Sequence, residues 1–308
     1  MSLEDILKTK DPKDFANQQV FVWRDEEYVN VQIVGPQNNF PTLMGLRKEG
    51  KKDTPEGVEH IRKKLNTTGF LAANLGISAI LTIDYKGERY VTTVQQHRKD
   101  LGDNVAKLIS GYVDAKHLAQ PVEALVEELC EEIVPTTKDG KVVPIKLNGH
   151  DLPKPYEKSV QYDEKQKLEV ILEKGYQAPG TDKKRKVLIN GHEVAGNPEI
   201  YYQAPSGSAQ LIFYCHASLD DLVIDTLNHA EDRLEDGKLN ARIHPKGLYL
   251  IKMKDGELTS QVYTFSNGKL EPVDPSKIVL SEPFVKSEDG IIAEQNIPLL
   301  KYLEQRKK

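Results

Sequence analysis

Apolar and polar positions alternate in short runs through the first third of the chain. Val20-Phe21-Val22-Trp23 and Tyr28-Val29-Asn30-Val31-Gln32-Ile33-Val34 flank the polar stretch 24–27, a pattern that predicts a β-hairpin. A basic loop, Arg47 to Asp53, follows. Thr54-Pro55 then reads as an N-cap with proline at the first helical position, and Val58, Ile61 and Leu65 continue at helical spacing. Two further strands are predicted over Ile77 to Tyr85 and Arg89 to Gln95, with Lys86-Gly87 as the turn between them. The short apolar run Leu108-Ile109 ends at Ser110-Gly111, and Pro121 to Ile133 carries the strongest helical periodicity in the chain.

Residues 136–205 are rich in Lys, Gly and Pro and contain an internal echo. Asn148-Gly149-His150-Asp151-Leu152 recurs as Asn190-Gly191-His192-Glu193-Val194, and Tyr176-Gln177-Ala178-Pro179 as Tyr202-Gln203-Ala204-Pro205. The spacings differ, so this is no solenoid repeat. Asn-Gly favours tight hairpins, and the echo reads as two similar hairpins in a β-rich insertion rather than as a duplicated ligand site. Beyond it, Ala209 to Tyr214, Gly247 to Met253 and Gln261 to Phe265 are predicted strands. Ser218-Leu219-Asp220-Asp221 has the form of a capping box opening a helix to about Glu235, and Ile297 to Gln305 is predicted as a terminal helix. Mixed strands and helices imply an α/β or α+β fold. The expected organisation is an N-terminal β-rich extension over 1–68 and a main domain over 69–308 that carries the insertion.

Composition narrows the function classes. The chain has 308 residues, 38% hydrophobic and 29% charged, which suits a globular protein with a real core and excludes a disordered one. Its formal net charge is -5, so no general attraction to nucleic acid or anionic lipid is expected. Cys130 and Cys215 are the only cysteines, too few for a disulfide framework or a four-cysteine metal site. They fit a reducing, cytoplasmic compartment. Residues 1–15 show no basic region followed by an apolar one, so no secretory signal is expected. The apolar-leaning stretch Phe70 to Ile83 is interrupted by Asn74 and Gly76 and is too short to span a bilayer.

The helix over 121–133 carries the candidate chemistry. At about 100° per residue, Val122, Leu125, Val126, Leu129 and Ile133 form an apolar stripe. Glu128, Glu131 and Glu132 fall together on another face, with Glu127 at its margin and Glu123 further round toward Val126. Three carboxylates on one face repel each other, and helix propensity does not call for them. A hard divalent cation such as Mg²⁺ or Mn²⁺ removes that penalty, and it can also hold a diphosphate and activate water. For the helix in isolation, a solvated acidic face is the simpler reading.

The order of the neighbouring segments shifts that balance. Gln96-His97-Arg98 at a strand end, Ser110-Gly111-Tyr112-Val113-Asp114 at a turn, and Pro121 to Glu132 as the helix follow one another. In this order the chain resembles the Nudix hydrolase family, and within it the ADP-ribose and nucleotide-sugar pyrophosphatase branch. The resemblance is close over about residues 70–135. It implies an α/β/α sandwich with a mixed sheet. It makes Glu128, Glu131 and Glu132 the metal-binding and catalytic positions for Mg²⁺ or Mn²⁺, and one of them, or a carboxylate from a later loop, the general base. Asp220, Asp221 and Glu294 are candidates for the later carboxylate by loop position only. Arg98, Gly111 and Tyr112 are the substrate-binding positions. Arg98 could contact a phosphate bidentately or be a surface arginine, and Tyr112, Tyr201 and Tyr202 could stack on a base or sugar, though packing is the better reading for the tyrosines.

The implied reaction is metal-dependent hydrolysis of a diphosphate bond in a nucleoside diphosphate compound. ADP-ribose or a nucleotide sugar would give a nucleoside monophosphate and a sugar phosphate. Relatives in that branch are often dimers, so a homodimer is compatible with the resemblance. Three departures stand against it: Glu127 where the family has an arginine, Val134 where it has a glycine, and Ala119 where it has an acidic residue before the helix. They motivate a second reading, a catalytically silent module of the same fold that binds a nucleotide or a protein partner. His97 reads as a loop histidine. Cys215-His216 are strand neighbours pointing to opposite faces and make a poor nucleophile and base pair. No P-loop and no His-x-x-x-His zinc helix is present.

Overall fold

The computed structural model describes residues 17–38, 68–72, 74–98, 103–156, 160–173, 185–203, 208–235, 238–244, 247–281, 291–292 and 297–306. The loop and helix expected over 47–65 and Glu294 lie outside the described residues. Among the described residues the fold is mixed α+β and mostly sheet, with two α-helices. No helix among them is long and apolar enough to cross a membrane.

The first hairpin forms as its alternation predicts. β1 (Asn17–Arg24) and β2 (Tyr28–Asn38) pair antiparallel, with Val20 opposite Ile33 and Val22 opposite Val31. Asp25 closes the turn, its carboxylate accepting the backbone N–H groups of Glu27 and Tyr28 at 2.9 and 2.6 Å. A lone hairpin is marginal in water. This one is extended on one side by β3 (Phe70–Ala72), antiparallel to β1. On the other side β12 (Lys186–Ile189) runs parallel to β2 and carries β13 (His192–Glu193). Strands from the 136–205 segment therefore complete the N-terminal sheet.

The larger sheet is built around β4 (Leu75–Tyr85) and β5 (Glu88–Arg98). Lys86 and Gly87, at φ 52° and 76°, make the tight turn between them. β15 (Ser208–Ser218) lies parallel to β4 over ten registered pairs, and β7 (Ile109–Tyr112) pairs antiparallel on the other half of β4. Beyond β5 come β18 (Leu248–Lys254), β19 (Glu257–Ser266) and β20 (Lys269–Val273). Beyond β15 come β11 (Leu168–Leu172), β9 (Ile145–Leu147) and β10 (His150–Asp151).

The two helices meet alternate side chains of this sheet. Helix α1 (Pro121–Glu132) buries Leu125 and Leu129 in one core with Ile77, Ala79, Leu81 and Ile83 of β4 and Leu248 and Leu250 of β18. Helix α2 (Leu299–Gln305) packs Leu299 and Tyr302 with Ile251 of β18 and Val262 of β19, in a separate cluster. Residues 248, 250 and 251 belong to different clusters because successive strand residues face opposite sides.

The helix expected after Ser218 is not formed. Residues 219–225 make a turn, and Thr226–Glu235 is strand β16, paired with β8 (Val134–Thr136) and then with β17 (Lys238–His244). Ser218 Oγ does accept the Asp220 N–H, at 3.2 Å. Asp220, however, turns its carboxylate to the Lys86 N–H at 2.6 Å, so the apparent cap serves a neighbouring hairpin. The local signal is a turn motif that also occurs without a helix.

Candidate functional site

The site begins where β7 lies against β4. Ile77 faces Gly111 and Ser78 faces Ser110 in the register. From Tyr112 the chain passes through a short 3₁₀ turn, Ala115–His117, into α1, whose first residue is Pro121. Proline suits that position, since its missing N–H would have no helical partner there. The apolar stripe seats the helix on the sheet, and that seating directs Glu128, Glu131 and Glu132 toward one cavity.

That cavity has a volume of about 180 Å³ and is lined by Gln96, Lys107, Glu128, Glu131, Glu132, Tyr156, His229 and Ala230. Three carboxylates predicted from the sequence are thus brought to one place. Gly111 has a steric role: a Cβ on it would overlap the Glu128 carboxyl group. A side chain at 111 would force Glu128 to move.

Glu132 is nearly buried and anchored at both oxygens. Lys107 Nζ, at the end of β6 (Asp103–Lys107), lies 2.9 Å from Oε1. The Ser110 N–H donates to Oε2 at 3.2 Å. The last turn of α1 is held from outside the helix. Tyr156 Oη donates to the Glu131 carbonyl at 2.6 Å, and His229 Nδ1 lies 3.3 Å from the Glu132 carbonyl. These contacts explain why Val134 can stand where a helix-ending glycine was expected. Ile133 is already extended, at φ −113°, and the chain runs straight into β8 with its terminal carbonyls satisfied by side chains.

Glu127 does not add its charge to the cavity wall. Its Oε1 is 3.1 Å from Lys116 Nζ and 3.4 Å from His117 Nε2, both in the turn before the helix. Burial would raise its pKa, but hydrogen bonds from His117 and Lys116 prevail and hold it down at about 2. The repulsion expected from an acid at this position is therefore absorbed by two basic neighbours. Relative to the resemblance the signs are exchanged: the acid is on the helix and the bases precede it.

Of the remaining sequence candidates, those whose side chains are described lie elsewhere. Arg98 ends β5, its backbone opposite Asp103, and its side chain lies outside the described residues, as does that of His97. Tyr112 is half-buried on β7 and does not line the cavity. Asp220 and Asp221 follow β15 at the Lys86 end of β4, whereas Gly111 faces Ile77 toward the opposite end, so neither reaches the cavity. Tyr201 and Tyr202 are core residues, the first with its hydroxyl 3.3 Å from Ser78 Oγ, the second edge-on to Phe70. Cys215 is buried, its thiol pushed up to about 12 by burial, and it is not an activated nucleophile. His216 instead contacts Thr82 Oγ1 at 3.1 Å and Asp84 at 3.5 Å.

Comparison of the chain with protein-family models, curated proteins and solved structures finds no match. Its functional reading therefore rests on the cavity.

Lys107, Tyr156, His229 and Ala230 line the cavity without any motif in the sequence to mark them. Lys107 and Tyr156 each lie 25 residues from the helix residue they contact, and His229 lies 97 residues away. No spacing rule links such positions. Among the described residues, no three His, Cys, Asp or Glu side chains are grouped so as to hold a metal ion. The expected ligands Glu128, Glu131 and Glu132 therefore line one cavity without forming a three-ligand metal group. Glu128 and Glu131 contribute hard oxygen on one wall, and Mg²⁺ commonly takes only one or two carboxylates, with water and substrate phosphate completing its shell.

Proposed function

We propose that the chain is a Nudix-like hydrolase that cleaves a diphosphate bond in a nucleoside diphosphate compound, of the ADP-ribose or nucleotide-sugar class. The observation that carries this reading is the convergence of Glu128, Glu131 and Glu132 on one cavity, with Gly111 leaving room for Glu128. The placement of α1 and α2 against alternate side chains of a mixed sheet supports the corresponding α/β/α sandwich.

On this reading Glu128 and Glu131 would hold Mg²⁺ or Mn²⁺. The ion would supply neutralisation of phosphate charge and a more acidic water. Glu132 is a positioning residue: through Lys107 and the Ser110 N–H it ties the end of α1 to β6 and β7. Tyr156 and His229 keep that end from fraying. The general base would then be one of the two outer carboxylates or a later-loop acid such as Glu294, which lies outside the described residues.

The test is a hydrolysis screen. ADP-ribose, nucleotide sugars, dinucleoside polyphosphates and nucleoside triphosphates are offered with Mg²⁺ or Mn²⁺, with and without EDTA, and products are separated by chromatography. Metal-dependent cleavage that Glu131→Gln abolishes without unfolding the protein is the expected outcome. No cleavage of any compound by folded protein at saturating metal would reject it.

A second reading is favoured by one contact. Lys107 already neutralises Glu132 inside the cavity. A protein that compensates its acidic helix with its own lysine could serve as a silent binding module. Nucleotide binding that persists in EDTA, together with no turnover, would establish it.

A further inference from the structure

The sequence contains Asn-Gly three times, at Asn148-Gly149, Asn190-Gly191 and Asn267-Gly268. Each asparagine sits exposed at a tight turn with positive φ, 50°, 49° and 54° in that order. In such a pair the backbone nitrogen of the glycine can attack the carbonyl carbon of the asparagine side chain, because glycine has no Cβ to block the approach. The three pairs differ in what holds that nitrogen. The Gly149 N–H donates to Glu169 Oε1 at 2.6 Å. The Gly268 N–H donates to the Asp225 carbonyl at 2.9 Å. Among the described residues, none accepts the Gly191 N–H.

The neighbouring strands explain the difference. The hairpins at 148–149 and 190–191 dock alike. The Asn148 N–H donates to the Val170 carbonyl and the Asn190 N–H to the Val31 carbonyl, both at 2.9 Å. Their Oδ1 atoms accept the N–H groups of Leu172 and Ile33. Glu169 on β11 therefore corresponds to Asn30 on β2. Glu169 caps the glycine nitrogen of its hairpin, whereas Asn30 donates its side-chain amide to Asp25 Oδ2 at 2.9 Å. The Ile33 N–H also points at the oxygen where negative charge develops when the Asn190 Cγ is attacked. Asn267 is engaged through Nδ2 instead, with Glu271 Oε1 at 3.1 Å.

We propose that Asn190 is the chain's site of spontaneous deamidation, a covalent ageing point where the insertion joins the N-terminal sheet. The Gly191 nitrogen bonds to Asn190 Cγ and gives its proton to water. The Cγ–Nδ2 bond breaks, and Nδ2 takes up a proton and leaves as ammonia. Water then opens the cyclic succinimide at either of its C–N bonds, leaving aspartate or isoaspartate. No oxidant or reductant takes part. Aspartate keeps an acceptor for the Ile33 N–H. Isoaspartate routes the backbone through the side-chain carbon, so the two links from residue 190 to β2 are no longer both in register.

The experiment ages the full chain in warm, mildly alkaline buffer and follows the three sites by peptide mapping with mass spectrometry. A protein isoaspartate methyltransferase labels the rearranged product. Asn190 should convert about tenfold faster than Asn148 or Asn267, the weight of the hydrogen bond that those glycines must first give up. In urea the three should convert at similar rates. Glu169→Ala frees the Gly149 N–H and should bring Asn148 up to the rate of Asn190. Asn30→Glu offers Gly191 the same acceptor and should slow Asn190, while Asp25 still closes its turn through Oδ1. Hydrogen exchange at Ile33 should quicken in the isoaspartate form and not in the aspartate form.

Equal rates at Asn148 and Asn190 in the folded chain, or a faster Asn148, would overturn the assignment. The same rate order in urea would show that the fold does not select the site. An unchanged Asn148 in folded Glu169→Ala would overturn the part given to the glycine N–H.

Discussion

Gly111 shows how one missing methyl group can decide a site. It lies in an ordinary strand, so its conformational freedom is not what is needed there. The space of its absent Cβ is taken by the Glu128 carboxyl group. Gly111→Ala should displace Glu128 while the β4–β7 register holds. On the proposed metal-dependent hydrolase reading, Mn²⁺ affinity and turnover should fall by about tenfold or more, since a small misplacement at a reacting centre is costly. Titration of Mn²⁺ against wild type and variant checks this, and unchanged affinity would show that Glu128 is no metal ligand. The same scale explains the departures from the resembling family. Glu127 is matched by Lys116 and His117, and Val134 is accommodated because Tyr156 and His229 take the helix-end carbonyls.

At the scale of the element, α1 is tied at its middle and at its last turn by groups outside it. The first tie is the clasp of Glu127 to the 3₁₀ turn, and its pH dependence has a definite sign. The folded carboxyl titrates at about 2, below the ordinary value of 4.5, so the clasp is fully stabilising above about 4.5. Its contribution is lost as pH falls from there toward about 2. Glu127→Gln should therefore lower the melting temperature at neutral pH, with the deficit shrinking as the solution is acidified through that window. A deficit that stays constant down to pH 2 would show that the clasp is not electrostatic. The Asn-Gly echo is also resolved at this scale. Asn148 and Asn190 both take positive φ, 50° and 49°, at tight turns. Each also accepts an N–H of a neighbouring strand through its side-chain oxygen, Asn148 from Leu172 at 2.8 Å and Asn190 from Ile33 at 3.1 Å. The echo is a repeated way of docking a hairpin on a parallel neighbour, which agrees with the two-hairpin reading.

Over the whole molecule, those two hairpins join different sheets. β9 and β10 extend the large sheet, while β12 and β13 complete the N-terminal one. The insertion therefore binds the extension to the main body and also supplies Tyr156 to the cavity. Asn190→Ala removes the side-chain acceptor and places a Cβ-bearing residue without Asn's local polar compensation at positive φ, at a cost of about 1–2 kcal/mol. Hydrogen exchange should then quicken at the Ile33 amide and through β2, with α1 unaffected. Equal exchange in β2 would mean that β12 does not stabilise the N-terminal sheet.

The sequence by itself determined the first hairpin, the β4–β5 hairpin, helix α1 and the shared face of Glu128, Glu131 and Glu132. These features follow from periods of two and 3.6 and from turn residues, which act between near neighbours. It did not determine the strand at Thr226–Glu235, where the Ser218 turn motif is compatible with helix or strand and pairing with β8 and β17 decided. Nor could it place Lys107, Tyr156 and His229 beside the carboxylates. Their meeting depends on which strand lies next to which, and on the face each residue presents once the sheet is assembled. Local patterning put the charges on one helix face, and only tertiary packing chose the counterion that meets them.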